Sequence, residues 1–172
     1  MTTTETWIDK TTWGPGPWQD EPDRVEWYDG DLACLALRHP GAGHWCGYVA
    51  VPPGHPWHGK SEYCPAPDCD WESCPHRIDV HVHGGITFAR GCAPKTEGVE
   101  PRTQVCHVPR PGEPDDVWWL GFDFHHSNDL APAMAARERD LGFGEGWRTA
   151  YRDIGYVRAQ CASVAEQARV AS

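Results

Sequence analysis

Apolar and polar positions along this chain fall into short, separate segments, and the period changes near residue 149. Leu32-Ala33-Cys34-Leu35-Ala36-Leu37-Arg38 and Trp45-Cys46-Gly47-Tyr48-Val49-Ala50-Val51 are nearly continuous apolar runs. They predict strands joined by the turn-forming link His39-Pro40-Gly41-Ala42-Gly43. Ile78–Phe88 alternates and is predicted as a third strand, and Trp118–Phe124 as a fourth that runs directly into His125, His126 and Asp129. Arg24–Asp29 fits a short strand or a helical turn equally well. Pro132 to Arg139 predicts a short helix. From 149 to 170 the apolar residues Tyr151, Ile154, Val157, Cys161, Val164, Ala165 and Ala168 recur every three to four positions, which predicts an amphipathic helix with Thr149 as N-cap. Strands first and helices last, without regular alternation, imply an α+β fold: a small antiparallel sheet with the C-terminal helix packed on one face.

This organisation gives a single α+β domain over 24–172, preceded by an arm, 1–23, whose Pro15, Pro17 and Pro22 argue against regular structure and whose Trp7, Trp13 and Trp18 could pack it down. Ten tryptophans, 16 prolines and 18 glycines in 172 residues mark a loop-rich fold. The long irregular stretch 93–116 is of a kind that normally covers something.

Charge narrows the partners. A formal net charge of −10 without any basic run excludes long nucleic acid, which requires a basic stripe. No apolar run reaches the roughly 20 residues of a membrane span. The N-terminus lacks the pattern of a signal peptide, so the expected location is the cytoplasm, where thiols stay reduced and serve as metal ligands or core residues.

The candidate chemistry sits at the ends of two predicted strands. In extended chain His81 and His83 share a face, with Val80 and Val82 on the other, and Gly84-Gly85 permits close approach of a ligand to the backbone. Asp123 and His125 share a face by the same rule, and His126 and Asp129 suit a following turn. Such a convergence could bind Zn²⁺ and activate water, hydrogen-bond a polar ligand, or perform acid–base chemistry without metal. A histidine beside an apolar strand can also be a satisfied core residue. Trp57 and Lys60, in the proline-stiffened loop 52–60, add a stacking wall and a cation. Separately, Cys64-x4-Cys69-x4-Cys74-x-His76 has the ligand number and type of a structural Cys3His zinc site, a staple for an inserted loop, 64–76. Cys92, Cys106 and His107 could pair with or replace some of these ligands. Cys34, Cys46 and Cys161 read as core residues.

The segments Val51-Pro52-Pro53-Gly54-His55-Pro56, His58-Gly59-Lys60, Val82-His83-Gly84-Gly85-Ile86-Thr87-Phe88, Cys106-His107-Val108-Pro109, Trp118-Trp119-Leu120-Gly121-Phe122-Asp123 and Tyr151-Arg152-Asp153 together resemble a family of small proteins carried by bacteriophages, especially actinobacterial ones, and by bacterial genomes. The resemblance covers roughly residues 44–165. It implies a phage origin, hence a host-cytoplasm location, and marks His83, Asp123, His126 and Asp129 as the functional positions. The chain departs from the pattern at Phe124-His125, where smaller residues are usual, and in the cysteine segment 64–76.

Three functions follow as expectations. The first is capture of a small polar ligand, concretely a nucleotide-derived host immune messenger, by His83, Gly84, Gly85, Asp123, His126, Asp129, Lys60 and Trp57. The second is a metal-dependent (zinc) hydrolase on the same cluster, in which His83, Asp123 and His126 hold a second metal and Asp129 or His81 serves as base. The third is a zinc-stapled structural or interaction module without chemistry. The sequence sets no oligomeric state.

Overall fold

The computed structural model describes residues 2–63, 74, 77–92, 100–107, 109–143 and 149–171. Six strands form one open antiparallel sheet: β1 (Thr3–Glu5), β2 (Arg24–Asp29), β3 (Leu32–Arg38), β4 (Trp45–Val51), β5 (Phe88–Gly91) and β6 (Trp118–Asp123), in the order β1-β2-β3-β4-β6-β5. Two helices follow, α1 (Pro132–Asp140) and α2 (Ile154–Val170). The α+β architecture with a C-terminal helix on an antiparallel sheet is the one the sequence predicts. Arg24–Asp29 is a strand, in register with β3 from Arg24↔Leu37 to Asp29↔Leu32.

The continuous apolar runs are explained by burial on both faces. Every residue of β3 is buried. On one face Val25, Cys34, Ala36, Val49, Val51, Leu120 and Phe122 meet Val157, Cys161, Val164, Ala165 and Ala168 of α2. Each large apolar side chain buried there contributes about 1.5–3 kcal/mol. Gly47 sits where α2 comes closest: a Cβ at this position would lie 2.7 Å from the Phe122 ring and 3.2 Å from Cys161 Sγ. On the other face Ala33, Leu35, Leu37, Ala50 and Trp119 are covered by Val105 and Val117. The described part of the predicted loop therefore does cover something, the back of the sheet. Arg24 holds it there, its guanidinium donating to the carbonyls of Arg102 (3.1 Å), Gln104 (2.9 Å) and Cys106 (2.6 Å).

Two local expectations need correction. Residues 78–87 are not a strand; only Phe88–Gly91 pairs with β6. The α2 N-cap is Asp153, whose carboxylate accepts from the Tyr156 amide at 2.8 Å, and Thr149 lies outside the helix.

The arm is fastened by charge as well as by tryptophan. β1 extends the sheet, and Trp13 and Trp18 pack against Ala133 of α1. Arg38, 2% exposed, donates to Glu21 Oε2 (2.7 Å), the Gly43 carbonyl (2.9 Å) and the Tyr151 hydroxyl (3.1 Å), pairs with Asp23 at 3.3 Å, and stacks 4.1 Å from the Trp45 ring. Lys10 pairs with the same Asp23 at 2.7 Å. Glu21 also accepts from the Ile154 amide at 2.9 Å, the first residue of α2, and from Tyr151. Removing one member strands the rest in a dry interior. Arg38→Ala is expected to cost about 3–5 kcal/mol in denaturant unfolding, against less than about 0.5 kcal/mol for the exposed Glu100→Ala.

Candidate functional site

The hairpin turn between β3 and β4, the end of β6 and the start of α2 all lie at one end of the sheet. The register Arg38↔Trp45 and Cys46↔Asp123 brings His39, His44, Cys46, Asp123 and His125 side by side. Phe122 belongs to the core beneath α2, so by strand alternation Asp123 faces the opposite side. There a cleft of about 360 Å³ opens, lined by His39, His44, Cys46, Tyr48, Thr87 and Asp123, with Phe88 and His125 beside them.

Three imidazoles form a stack along this cleft. His39 and His44 are 5.0 Å apart between centroids and tilted by 15°; His44 and His125 are 4.8 Å apart and tilted by 3°. Burial, then the neighbouring imidazoles His39 and His125, push His44 down to about 4, so its ring is neutral near pH 7. His39 Nδ1 accepts from the amides of Gly41 (3.2 Å) and Ala42 (3.1 Å), which fixes that ring. Asp123 accepts from the Thr87 hydroxyl at 3.0 Å and from the His125 amide at 3.1 Å. Burial, ahead of the Asp123 charge, lifts Cys46 to about 12, so it remains a thiol and not a nucleophile.

Adjacent to the cleft, Asp129 is a junction. Only 1% exposed, it accepts from His83 Nε2 (2.7 Å), Arg152 Nε (2.9 Å) and the His126 amide (3.1 Å). Burial alone would raise its pKa; the hydrogen bonds from Arg152, His83 and the His126 amide outweigh that and hold it below the usual carboxylate range. An ionised Asp129 only accepts, so His83 donates to it from Nε2, and His83 Nδ1 is hydrogen-bonded to the Tyr156 hydroxyl at 3.2 Å. Tyr156, His83 and Asp129 are thus one hydrogen-bonded chain linking α2 to the segment after β6. His126 Nε2 lies 3.8 Å from Asp123 Oδ1, and its ring occupies the space beside Gly84: a Cβ there would fall 1.7 Å from His126 Nε2, at a backbone φ of +69°. Only glycine fits at that position.

Of the residues singled out in the sequence, His83, Gly84, Asp123, His126 and Asp129 come together. Gly85 follows in the same turn, with open space where a side chain would be. Trp57 and Lys60 are elsewhere. The Lys60 carbonyl accepts from Trp118 Nε1 at the far end of β6, about five strand steps or roughly 17 Å from Asp123. His81 is exposed, its backbone bonded to the Gln167 side chain of α2 in both directions (2.7 and 2.8 Å). The three ligand atoms expected of a hydrolytic metal, on His83, Asp123 and His126, do not gather: both His83 ring nitrogens have partners. Among the described residues, one group alone could hold a metal, Cys92, Cys106 and His107, with ligand atoms within 4.8 Å of one another and the two sulfurs at disulfide distance. Of the expected zinc ligands Cys64, Cys69, Cys74 and His76, only Cys74 lies within the described residues, where it is buried. His39 and His44 were missed as site residues because they flank a turn; their only sequence signal is a histidine at either end of Pro40-Gly41-Ala42-Gly43.

No protein-family model, curated protein or solved structure matches this chain. No helix among the described residues is long and apolar enough to cross a membrane.

Two outcomes follow from the geometry. The folded value of His44 lies below the ordinary 6.5, so the unfolded chain takes up a proton that the fold excludes. Its contribution is complete above about pH 6.5 and is lost as pH falls towards about 4. Urea unfolding across that range is expected to be flatter in His44→Phe, which keeps a ring in the stack and removes the titration. Asp129→Asn is expected to lower stability by about 2 kcal/mol at neutral pH, read from the same curves, because Arg152 loses its carboxylate.

Proposed function

We propose that the protein binds a small polar ligand in the cleft at the Asp123 end of the sheet. The observation that carries this reading is a set of buried imidazole nitrogens without hydrogen-bond partners among the described residues. His44 and His125, with Nδ1 and Nε2 respectively unpaired, line the cleft, and the unpaired His126 Nε2 lies 3.8 Å from the lining carboxylate of Asp123. An unpaired buried polar atom costs about 1–3 kcal/mol, and three in one place are the mark of a site that a ligand or ordered water completes.

The lining narrows the ligand class. Tyr48 and Phe88 give an aromatic wall in edge contact, 5.5 Å between centroids. The imidazoles donate or accept according to tautomer, Thr87 offers a hydroxyl, and Asp123 supplies a carboxylate. Among the described residues no Lys or Arg lines the cleft, and His44 is neutral. A neutral or cationic molecule with an aromatic face and several polar edges, such as a nucleoside, suits this lining better than a phosphate. A nucleotide-derived host messenger, sequestered by a phage-encoded protein, remains within the proposal through its nucleoside part. Binding is favoured over hydrolysis because the Cys46 thiol stays protonated and the His83 nitrogens are engaged. A structural zinc at Cys64, Cys69, Cys74 and His76 belongs to the proposal only as a loop staple.

Titration calorimetry with purine and pyrimidine nucleosides, cyclic nucleotides and ADP-ribose tests the reading. At least one nucleoside-bearing compound is expected to bind, and His125→Ala to weaken it by about tenfold, the worth of one hydrogen bond. Absence of heat from the whole panel with folded wild-type protein overturns it.

A further inference from the structure

The back of the sheet carries a second cluster that the cleft does not use. Cys92 follows β5, Cys106 lies on the covering segment, and their Cα atoms are 4.8 Å apart. His107 stands beside them, its ring edge-on to Trp119 at 5.3 Å, and its buried Nδ1 has no hydrogen-bond partner among the described residues. Trp119 Nε1 donates to Cys92 Sγ at 3.3 Å. Three ligand atoms, two of them sulfur, lie within 4.8 Å of one another.

We propose that Cys92, Cys106 and His107 form a zinc site in the reduced protein, which exchanges with a Cys92–Cys106 disulfide in the oxidised protein. Two features support it beyond proximity. The covering segment is held by Arg24 through the carbonyls of Arg102, Gln104 and Cys106, and by burial of Val105, so the two thiols stay adjacent when no bond joins them. The Trp119 N–H on Cys92 Sγ stabilises negative charge on that sulfur, the form that binds metal and attacks disulfides. Two thiolates and one imidazole suit a borderline-soft divalent ion, with water as fourth ligand.

The exchange balances. A dithiol reductant and Zn²⁺ convert the disulfide to a zinc bis-thiolate, giving the oxidised dithiol and two protons. Hydrogen peroxide and two protons convert the zinc bis-thiolate back to the disulfide, releasing Zn²⁺ and two waters. The chemistry is independent of the cleft, so failure of the ligand proposal leaves it standing.

Full-length protein reduced with a dithiol and freed of reductant is alkylated with iodoacetamide, with and without saturating Zn²⁺, and its modified cysteines are quantified by peptide mapping. Zn²⁺ is expected to slow alkylation of both Cys92 and Cys106 by roughly tenfold or more, and far less in His107→Ala. Peroxide is expected to release the ion, read with a zinc-sensitive dye, in step with loss of those two thiols. The peptide map separates this site from any zinc held at 64–76. Equal alkylation rates at Cys92 and Cys106 with and without Zn²⁺ overturn the proposal, as does full protection in folded His107→Ala for the histidine's part in it.

Discussion

A buried guanidinium sets the terms for the rest of this structure. Arg38 ends β3 inside the protein, where an unpaired charge is prohibitively costly, so every group around it is constrained to satisfy it. Its partners come from three parts of the chain: Glu21 and Asp23 from the arm, Gly43 and Trp45 from the adjoining hairpin, and Tyr151 from the approach to α2. Glu21 passes the constraint on, since its second oxygen receives the first amide of α2. The arm is therefore integral to the fold rather than an appendage. The same network fixes the hairpin turn that carries His39 and His44, and α1 adds to it by donating the Ala133 and Met134 amides to the Ala42 carbonyl.

Much of the fold was legible because its signals are local. β3, β4 and α2 announce themselves through continuous apolar runs and a period near 3.6, and the runs are continuous because both sheet faces are covered. Residues 78–83 misled for a physical reason. Val80 and Val82 alternate with polar neighbours as in a strand, yet the backbone partners are side chains: Gln160 accepts from the His83 amide at 3.0 Å and Gln167 bonds His81. Two glutamines seven apart on one helix face do the work of a neighbouring strand, and nothing in the segment's own sequence states that. His83, Asp123, His126 and Asp129 could be marked from sequence because each ends or follows an apolar stretch. His39 and His44 could not, since only strand register across the sheet places them beside Asp123. Trp57 and Lys60 looked suitable by residue type, but type carries no address, and β6 runs its full length between them and Asp123.

The position of the cleft follows from what each sheet face has to cover it. α2 spans one face. On the other, the segment held by Arg24 reaches over Leu35, Ala50 and Trp119, and Asp123, Cys46 and Tyr48 at the opposite end of β4 and β6 line the cleft instead. An apolar sheet left open there would invite association. This one is faced with imidazoles, a threonine and a carboxylate, which water or a polar ligand can satisfy. Burial, and then the neighbouring imidazoles His39 and His125, disfavour a proton on His44, so the middle ring of the stack keeps a neutral nitrogen for hydrogen bonding. The junction at Asp129 sets the far wall, because it holds His83 and the His126 backbone in place and so leaves the His126 ring lying against Gly84 and within reach of Asp123. Among the described residues, a cover anchored by Arg24 on one side and a junction anchored by Asp129 on the other leave an opening between them, and the unpartnered nitrogens of His44 and His125 are where it lies.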